Sequence, residues 1–522
     1  MTSDFSHSRR RRTVATRAVM VTALLVGLGG NGLAANRTPA LVEAAKLANT
    51  ATVKSLLQGG ADTSEAEPDG TTALHWAAHH GDLASLDGLV QAKADVNVKN
   101  RYGVAPIWLA ATNGHAASVE ALLRAGADAQ TTRADSGETV LMVAAMTGHA
   151  GVLQRLLAHG ADPNAVDKVR SQTALMWAAA ERHDAAVRVL VEAGADIEAR
   201  SSTGLTPLMF AIRAGDISGT VAILGLGADL KATAPDGTTA LGLALINAHW
   251  ELAANLLEQG ADPNGNDPRG RPLHILTFVR RAENRGLSAW LPRRPTGNID
   301  SIDLAQKLIA RGAKVNDQID WKNPNYSPDH IALGYFLATN YVGATPLYIA
   351  AKQCDVELVK FFIDNGADPK IATGQKVSPL LAAAGIGFAI GESAGTPEEA
   401  LETVKLLSGL GGDVNAIADF GEGKGGMGGG WNGSGALHGA VIRGAEGLVK
   451  WLIEQDVPLD LKTLSGRTAL DMARGSDLGV TFHVQPELAE ILEKAMVAKG
   501  LPIGEHKYGA APADRDHSQE TR

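Results

Sequence analysis

A phrase of fixed spacing constrains this chain more than any other feature. Gly70, Gly103, Gly137, Gly204, Gly237 and Gly270 each precede a short Thr/Ala/Pro segment that ends in an aliphatic residue, usually Leu. The gaps between them are 33, 34, 67, 33 and 33 residues, the 67 spanning two periods. A second marker, Gly-Ala-Asp, recurs at Gly60, Gly126, Gly160, Gly194, Gly227, Gly260 and Gly366. Length alone would suggest three or four globular domains, but a chain that repeats this way is read as an array first. Each period is one small unit with too little apolar surface to fold alone, so stacking must create the core.

Two helical patterns lie between the markers. The first is exemplified by Ala73-Leu74-His75-Trp76-Ala77-Ala78, and the second ends in a leucine-rich turn, as in Leu122-Leu123, Leu156-Leu157 and Leu256-Leu257. Thr206-Pro207 starts a helix, because proline is tolerated in the first turn, where its missing N–H is not needed. The glycine of Gly-Ala-Asp ends the second helix in a left-handed conformation. Asp or Asn with Gly then makes a hairpin turn, as at Pro235-Asp236-Gly237. Hydrophobic residues are 45% of the chain but aromatics only 4%, so the core is mainly aliphatic. Small residues such as Ala77-Ala78 and Ala144-Ala145 let helices approach closely. Trp76, Trp108, Met142, Met176, Trp177, Met209 and Phe210, on first helices, read as core.

Gly204-Leu205-Thr206-Pro207-Leu208 with Gly227-Ala228-Asp229 resembles an ankyrin repeat, as do Thr345-Pro346-Leu347-Tyr348-Ile349-Ala350-Ala351 and Gly366-Ala367-Asp368-Pro369. The period of about 33 is that family's period. The resemblance runs over nearly all of residues 38–500, as twelve units with imperfect first and last members. It implies an all-α ankyrin-repeat solenoid of stacked helix pairs with short β-hairpin fingers. The expected organisation is a signal peptide (1–35), an N-terminal capping repeat (36–67) and regular repeats (68–266). Repeats with insertions (267–462), a C-terminal capping repeat (463–503) and a disordered tail (504–522) follow. The insertions fall at about 279–299, 317–341 and 385–399, and a glycine-rich run spans Gly421 to Gly435.

The N-terminus reads as an export signal. Arg9 to Arg12 and Arg17 form a basic region, Val19 to Leu28 a short apolar run, and Leu33-Ala34-Ala35 a small-residue cleavage site. Cleavage there removes five arginines and Asp4, taking the formal charge from −9 to −13. The apolar run is short for the ~20 residues of a spanning helix, so no stable membrane insertion is expected after cleavage. The expected location is periplasmic or secreted, by a general or a twin-arginine route. The acidic balance does not point to nucleic acid. A single cysteine, Cys354, excludes an intrachain disulfide and multi-cysteine metal sites.

Five features of the sequence are candidates for chemistry. His75 and His79 share a helix face, but a metal needs further ligands. The family resemblance instead implies a structural His75 bonded to Thr72. His115, His149, His183 and His249 recur near the starts of second helices. Helices about 8–10 Å apart cannot share one metal at ~2 Å bonds, so these read as helix-start polar residues, with pH sensing as the other reading. The run from Gly421 to Gly435 lacks a Gly-Lys-Ser/Thr ending and reads as a hairpin with Trp431 as a contact residue, not as a phosphate cradle. Cys354, at a position usually held by glycine, has no identifiable base beside it. Arg280, Arg281, Arg285, Arg293 and Arg294, with Trp290, form either a solvated loop or a site for an acidic partner or anionic lipid.

The functional expectation is a non-catalytic protein-binding scaffold with no cofactor, monomeric alone, whose partner is a protein of unknown identity. An accessory subunit of an exported enzyme or redox complex is the second reading, and an enzyme with its site in the C-terminal insertions the third. The resemblance implies binding through hairpin tips and the exposed ends of first helices, on a concave face. Those positions are His79, His80, Thr112, Asn113, Met146, Thr147, Glu181, Arg213, Lys352 and Gln353 on helices, and Arg101, Tyr102, Ser136, Lys168 and Ser202 on hairpins. They vary between repeats while the Leu and Gly positions stay nearly fixed.

Overall fold

Most helices of this chain are only two turns long, too short to hold in water without tertiary packing. The computed structural model describes residues 38–281, 295–319, 341–387, 394–420, 431–475 and 484–504. It divides into two units, residues 1–236 and 237–522. Among the described residues each unit holds six helix pairs, twelve in all, as the sequence period leads one to expect.

The first unit contains α1 (Ala40–Lys46), α2 (Thr50–Gln58), α3 (Ala73–His80), α4 (Leu83–Gln91), α5 (Pro106–Thr112) and α6 (Ala116–Arg124). It continues with α7 (Val140–Thr147), α8 (Ala150–Ala158), α9 (Ala174–Ala180), α10 (Asp184–Glu192), α11 (Pro207–Ala214) and α12 (Ile217–Gly225). The second contains α13 (Ala240–Ile246), α14 (Trp250–Glu258), α15 (Pro272–Arg280), α16 (Ser301–Ala310), α17 (Pro346–Lys352) and α18 (Val356–Asp364). Its last six are α19 (Pro379–Ala384), α20 (Pro397–Gly409), α21 (Ala436–Arg443), α22 (Glu446–Glu454), α23 (Ala469–Ala473) and α24 (Pro486–Ala498). Within each unit first helices pack on first helices, making a solenoid of helix pairs.

Local chemistry sets each boundary. Thr139, Thr173, Thr206 and Thr345 cap first helices by accepting the amide three residues on. Gly81, Gly148 and Gly215 end them in the left-handed region. Over its first six residues α7 is apolar on every side: Val140 to Ala145 are all buried. The second helices are amphipathic, burying Val119 with Leu122, Val152 with Leu156, and Val187 with Leu190. Of the aromatic and methionine residues expected in the core, all are buried except Trp177, which is half-exposed.

Side-chain amides tie one repeat to the next. Asn97 donates to Gly126 O and accepts from Asp128 N; Gln130 does the same with Gly160 and Asp162, and Asn164 with Gly194 and Asp196. Each clamp satisfies a carbonyl at a helix end that would otherwise lack a partner.

The expected β-hairpin fingers are present in their shortest form. In the described residues the fingers carry only isolated bridges, such as Ala66 with Thr72 and Thr132 with Thr139. A finger of a few residues cannot sustain its own two-stranded ladder. Its backbone groups bond both within the finger, as Asn100 N to Val104 O, and to the neighbouring finger.

Candidate interaction surface

The fingers of the first unit are tight turns. In the second finger (98–104) Gly103 N donates to Asn100 O, and in the fifth (200–206) Gly204 N donates to Ser201 O, both at 2.8 Å. The turn glycines have positive φ, 71° at Gly103 and 76° at Gly204, a conformation that costs glycine little. The doubled gap in the sequence marker is explained here. Ser171 takes the glycine position of the fourth finger (166–173), with φ 51°.

Neighbouring fingers are stitched by main-chain bonds. Arg101 N donates to Asp69 O at 2.7 Å, Lys168 N to Ser136 O at 2.9 Å, and Ser202 N to Arg170 O at 2.8 Å. Three of the five expected hairpin residues thus anchor their backbones to the preceding finger while their side chains remain exposed. Tyr102 is 51% exposed beside Arg101. Val169 is 67% exposed beside Lys168 and was missed by the sequence reading, which mapped sites by repeat offset and stopped one residue short. Ser136 is half-buried. A shallow polar recess between the fourth and fifth fingers and α11 is lined by Arg170, Gln172, Ser201, Ser202, Thr203, Phe210 and Arg213.

At the opposite end of the first helices the expected residues differ in exposure. His80 is exposed, and His79, Thr112, Asn113, Met146, Thr147, Glu181 and Arg213 are half-buried. The hydroxyls of Thr112 and Thr147 bond carbonyls of their own helices, those of Trp108 and Val143. Asn113 donates to Leu109 O and contacts His79 Nδ1 at 3.0 Å. His79 and His80 pack with Trp76, and burial pushes the His79 imidazole below its ordinary pKa, with His80 and His115 adding repulsion. Lys352 and Gln353 are corrected: both are buried, at 2% and 4% exposure. Lys352 Nζ lies 5.0 Å from the Tyr341 ring centre, and Gln353 donates to Phe278 O.

The recurrent histidines sit where expected, each at the N-cap of a second helix, but none caps that helix. His115 Nε2 contacts His79 O and His183 Nε2 contacts Met146 O, both at 3.1 Å, at the end of the preceding first helix. The rings of His115, His149 and His183 also lie against a glycine at the close of a first helix in the preceding repeat. A Cβ placed on Gly81, Gly114 or Gly148 would come within 2.6 Å of His115, His149 or His183. His75 is structural as the resemblance implies: Nδ1 meets Thr72 and Nε2 meets Val104 O at 2.9 Å.

The remaining candidates of the second unit are also changed. Arg280 and Arg281 do not belong to a solvated loop. Arg280 pairs with Asp355 at 2.7 Å and with Glu357, and Arg281 pairs with Glu399 at 2.8 Å, so acids of the chain itself already hold them. Arg285, Trp290, Arg293 and Arg294 lie outside the described residues, as do residues 421–430, most of the three insertions, the export segment and residues 505–522. Trp431 is buried at 5% exposure, not a contact residue. Cys354 is fully buried and has φ 51°; burial raises its thiol pKa, the reverse of what a nucleophile needs. No group of three or more metal-ligating side chains occurs among the described residues, and no described helix is long and apolar enough to cross a membrane.

The chain matches the family Ankyrin repeats (3 copies) over residues 15–100 and 107–201, and the family Ankyrin repeat over residues 342–374. The first span begins inside the segment read as an export signal. The chain is 25% identical over 150 residues to the ankyrin repeat protein FPV230 of fowlpox virus (strain NVSL), an alignment covering 25% of this chain and 66% of that protein. The human ASB11 ankyrin repeat domain, known from a crystal structure, is 28% identical; the match covers 40% of this chain and 92% of that one, with a TM-score of 0.36.

Proposed function

Because the chain is an ankyrin-repeat protein, we propose that it is a non-catalytic scaffold that binds a protein partner through the fingers and first-helix ends of its first unit. Ankyrin repeats generally mediate protein–protein interaction. One observation carries the finer reading: the finger backbones are fixed to one another while Arg101, Tyr102, Lys168 and Ser202 stay exposed. A preordered backbone reduces the entropy lost on binding. Tyr102 and Arg101 are the residue types that dominate binding hot spots. Lys352 and Gln353 drop out of the surface because they are buried.

The test is to measure affinity and melting for Tyr102→Ala and His80→Ala once a partner is in hand, with Arg155→Ala as a control on a second helix. Tyr102→Ala should weaken binding by more than ~1 kcal/mol with stability within about 0.5 kcal/mol of the parent. Loss of affinity in the control alone refutes the assignment.

The basic and apolar N-terminal pattern supports action outside the cytoplasm, after cleavage between about Leu33 and Asn36. N-terminal sequencing of envelope material checks this, and an intact Met1 on a cytoplasmic protein refutes it. An accessory role beside an exported enzyme is compatible with the same surface.

A further inference from the structure

The fingers of the first unit treat their two signs of charge differently. Several acids are turned to the backbone. Asp167, 4% exposed, accepts the amides of Val169, Arg170 and Gln172, and Glu198 accepts that of Asp229. Asp135 stays exposed but is paired with Arg133 at 2.8 Å. Four cations are exposed and reach to neutral carbonyls of neighbouring fingers. Lys99 donates to Thr132 O, Arg101 to Pro68 O, Lys168 to Ala134 O and Arg200 to Thr233 O. A carbonyl satisfies one N–H but leaves the full positive charge in place. The result is a ridge of four exposed cations with apolar Tyr102 and Val169 between them, on a protein whose formal charge is −9.

We infer that this ridge docks an acidic, extended segment of the protein partner, its carboxylates meeting Lys99, Arg101, Lys168 and Arg200. This rests on the scaffold reading above and names the chemistry of what binds. Repeats stack at about 10 Å, so the second to the fifth finger covers roughly 30 Å. At about 3.3 Å per extended residue, roughly nine residues of partner span it. The guanidinium groups of Arg101 and Arg200 suit bidentate carboxylate bonds. Because these sites are solvated, the contribution falls with salt.

The experiment uses the full chain and a fluorescein-labelled twelve-residue peptide carrying four glutamates and one tyrosine. Its glutamine counterpart, a twelve-nucleotide single-stranded DNA and phosphatidylserine vesicles are compared with it. The glutamate peptide should bind, at least tenfold more tightly than the glutamine peptide, and weaken on going from 50 to 300 mM salt. Arg101→Gln with Lys168→Gln should lower its affinity at least fivefold, while Arg188→Gln, on the second-helix face, should leave it unchanged. Equal binding of the two peptides, preference for the DNA or the vesicles, or an unaffected double variant overturns the inference. A natural partner that binds the Arg101→Gln/Lys168→Gln variant as tightly as the parent, yet loses affinity with Tyr102→Ala, also overturns it while leaving the scaffold reading standing. Loss of neither would remove both.

Discussion

Replacing Gly148 by alanine tests the contact between consecutive repeats. Gly148 has φ 76°, and its Cβ would meet His183 Nδ1 at 2.6 Å. Two costs follow. Left-handed backbone at a residue with a Cβ costs about 1–2 kcal/mol, offset by roughly 0.4–1 kcal/mol from the stiffer unfolded chain. Displacing a packed ring adds about 1–3 kcal/mol. The expected loss for Gly148→Ala is therefore about 2–4 kcal/mol. His183→Ala alone should cost about 1–2 kcal/mol, from its bond to Met146 O and the cavity left behind. In the double variant the clash disappears while the backbone cost and the lost His183 contacts remain, so the two losses should fall short of additivity by about 1–3 kcal/mol. Urea unfolding followed by circular dichroism gives the free energies. Hydrogen exchange at amides 148–153 localises the change to the turn between α7 and α8. Additive losses would refute the reasoning, because they would mean that ring and Cβ do not compete for one space.

Three further outcomes are expected. His274 and His438 are buried with pKa values lowered to about 4, so between that pH and about 6.5 the unfolded chain binds more protons. Stability should be full above about pH 6.5 and fall toward pH 4, by at most about 3 kcal/mol per histidine, and urea midpoints unchanged between pH 7 and 5 would contradict this. Cys354 should resist an aromatic disulfide reagent at pH 8 in the native protein and react fully once unfolded; rapid native labelling would mean its turn opens. Arg182 has φ 66° and is exposed, so Arg182→Gly should raise stability by about 0.5–1 kcal/mol, seen as a higher Tm, and a lower Tm would count against a left-handed turn there.

The helix pairs were legible because the information that specifies them is local. A threonine N-cap at seven of the twelve first helices, a closing glycine at several and a spacing of about 33 residues through the first unit are all short-range marks, and the Thr72–His75 bond spans three residues. Burial at Lys352 and Gln353 was not legible. The Gln353 bond to Phe278 O crosses 75 residues, and the insertions break the offset arithmetic that maps one repeat on another. The same holds for Arg280 and Arg281, whose acidic partners lie 75 to 118 residues away. Trp431 was read from its glycine-rich neighbours as a contact residue, although a large indole more often goes inside. The histidines were placed correctly at helix starts, but their reach back to the preceding repeat was not visible. A ring that satisfies a carbonyl in another unit leaves no mark on its own segment.

That reach limits how the array can be rearranged by recombination. A segment that begins with His149 or His183 needs a glycine at the closing turn of whatever precedes it. Arg182 can occupy such a turn because the next second helix starts with Asp216, not a histidine. Units are therefore interchangeable parts only within matching classes of junction. Duplicating or deleting one whole period between Gly81 and His183 keeps every junction compatible. Grafting a histidine-led unit behind Arg182 would set two side chains in one place, and such a fusion should fold poorly even though every unit in it is sound.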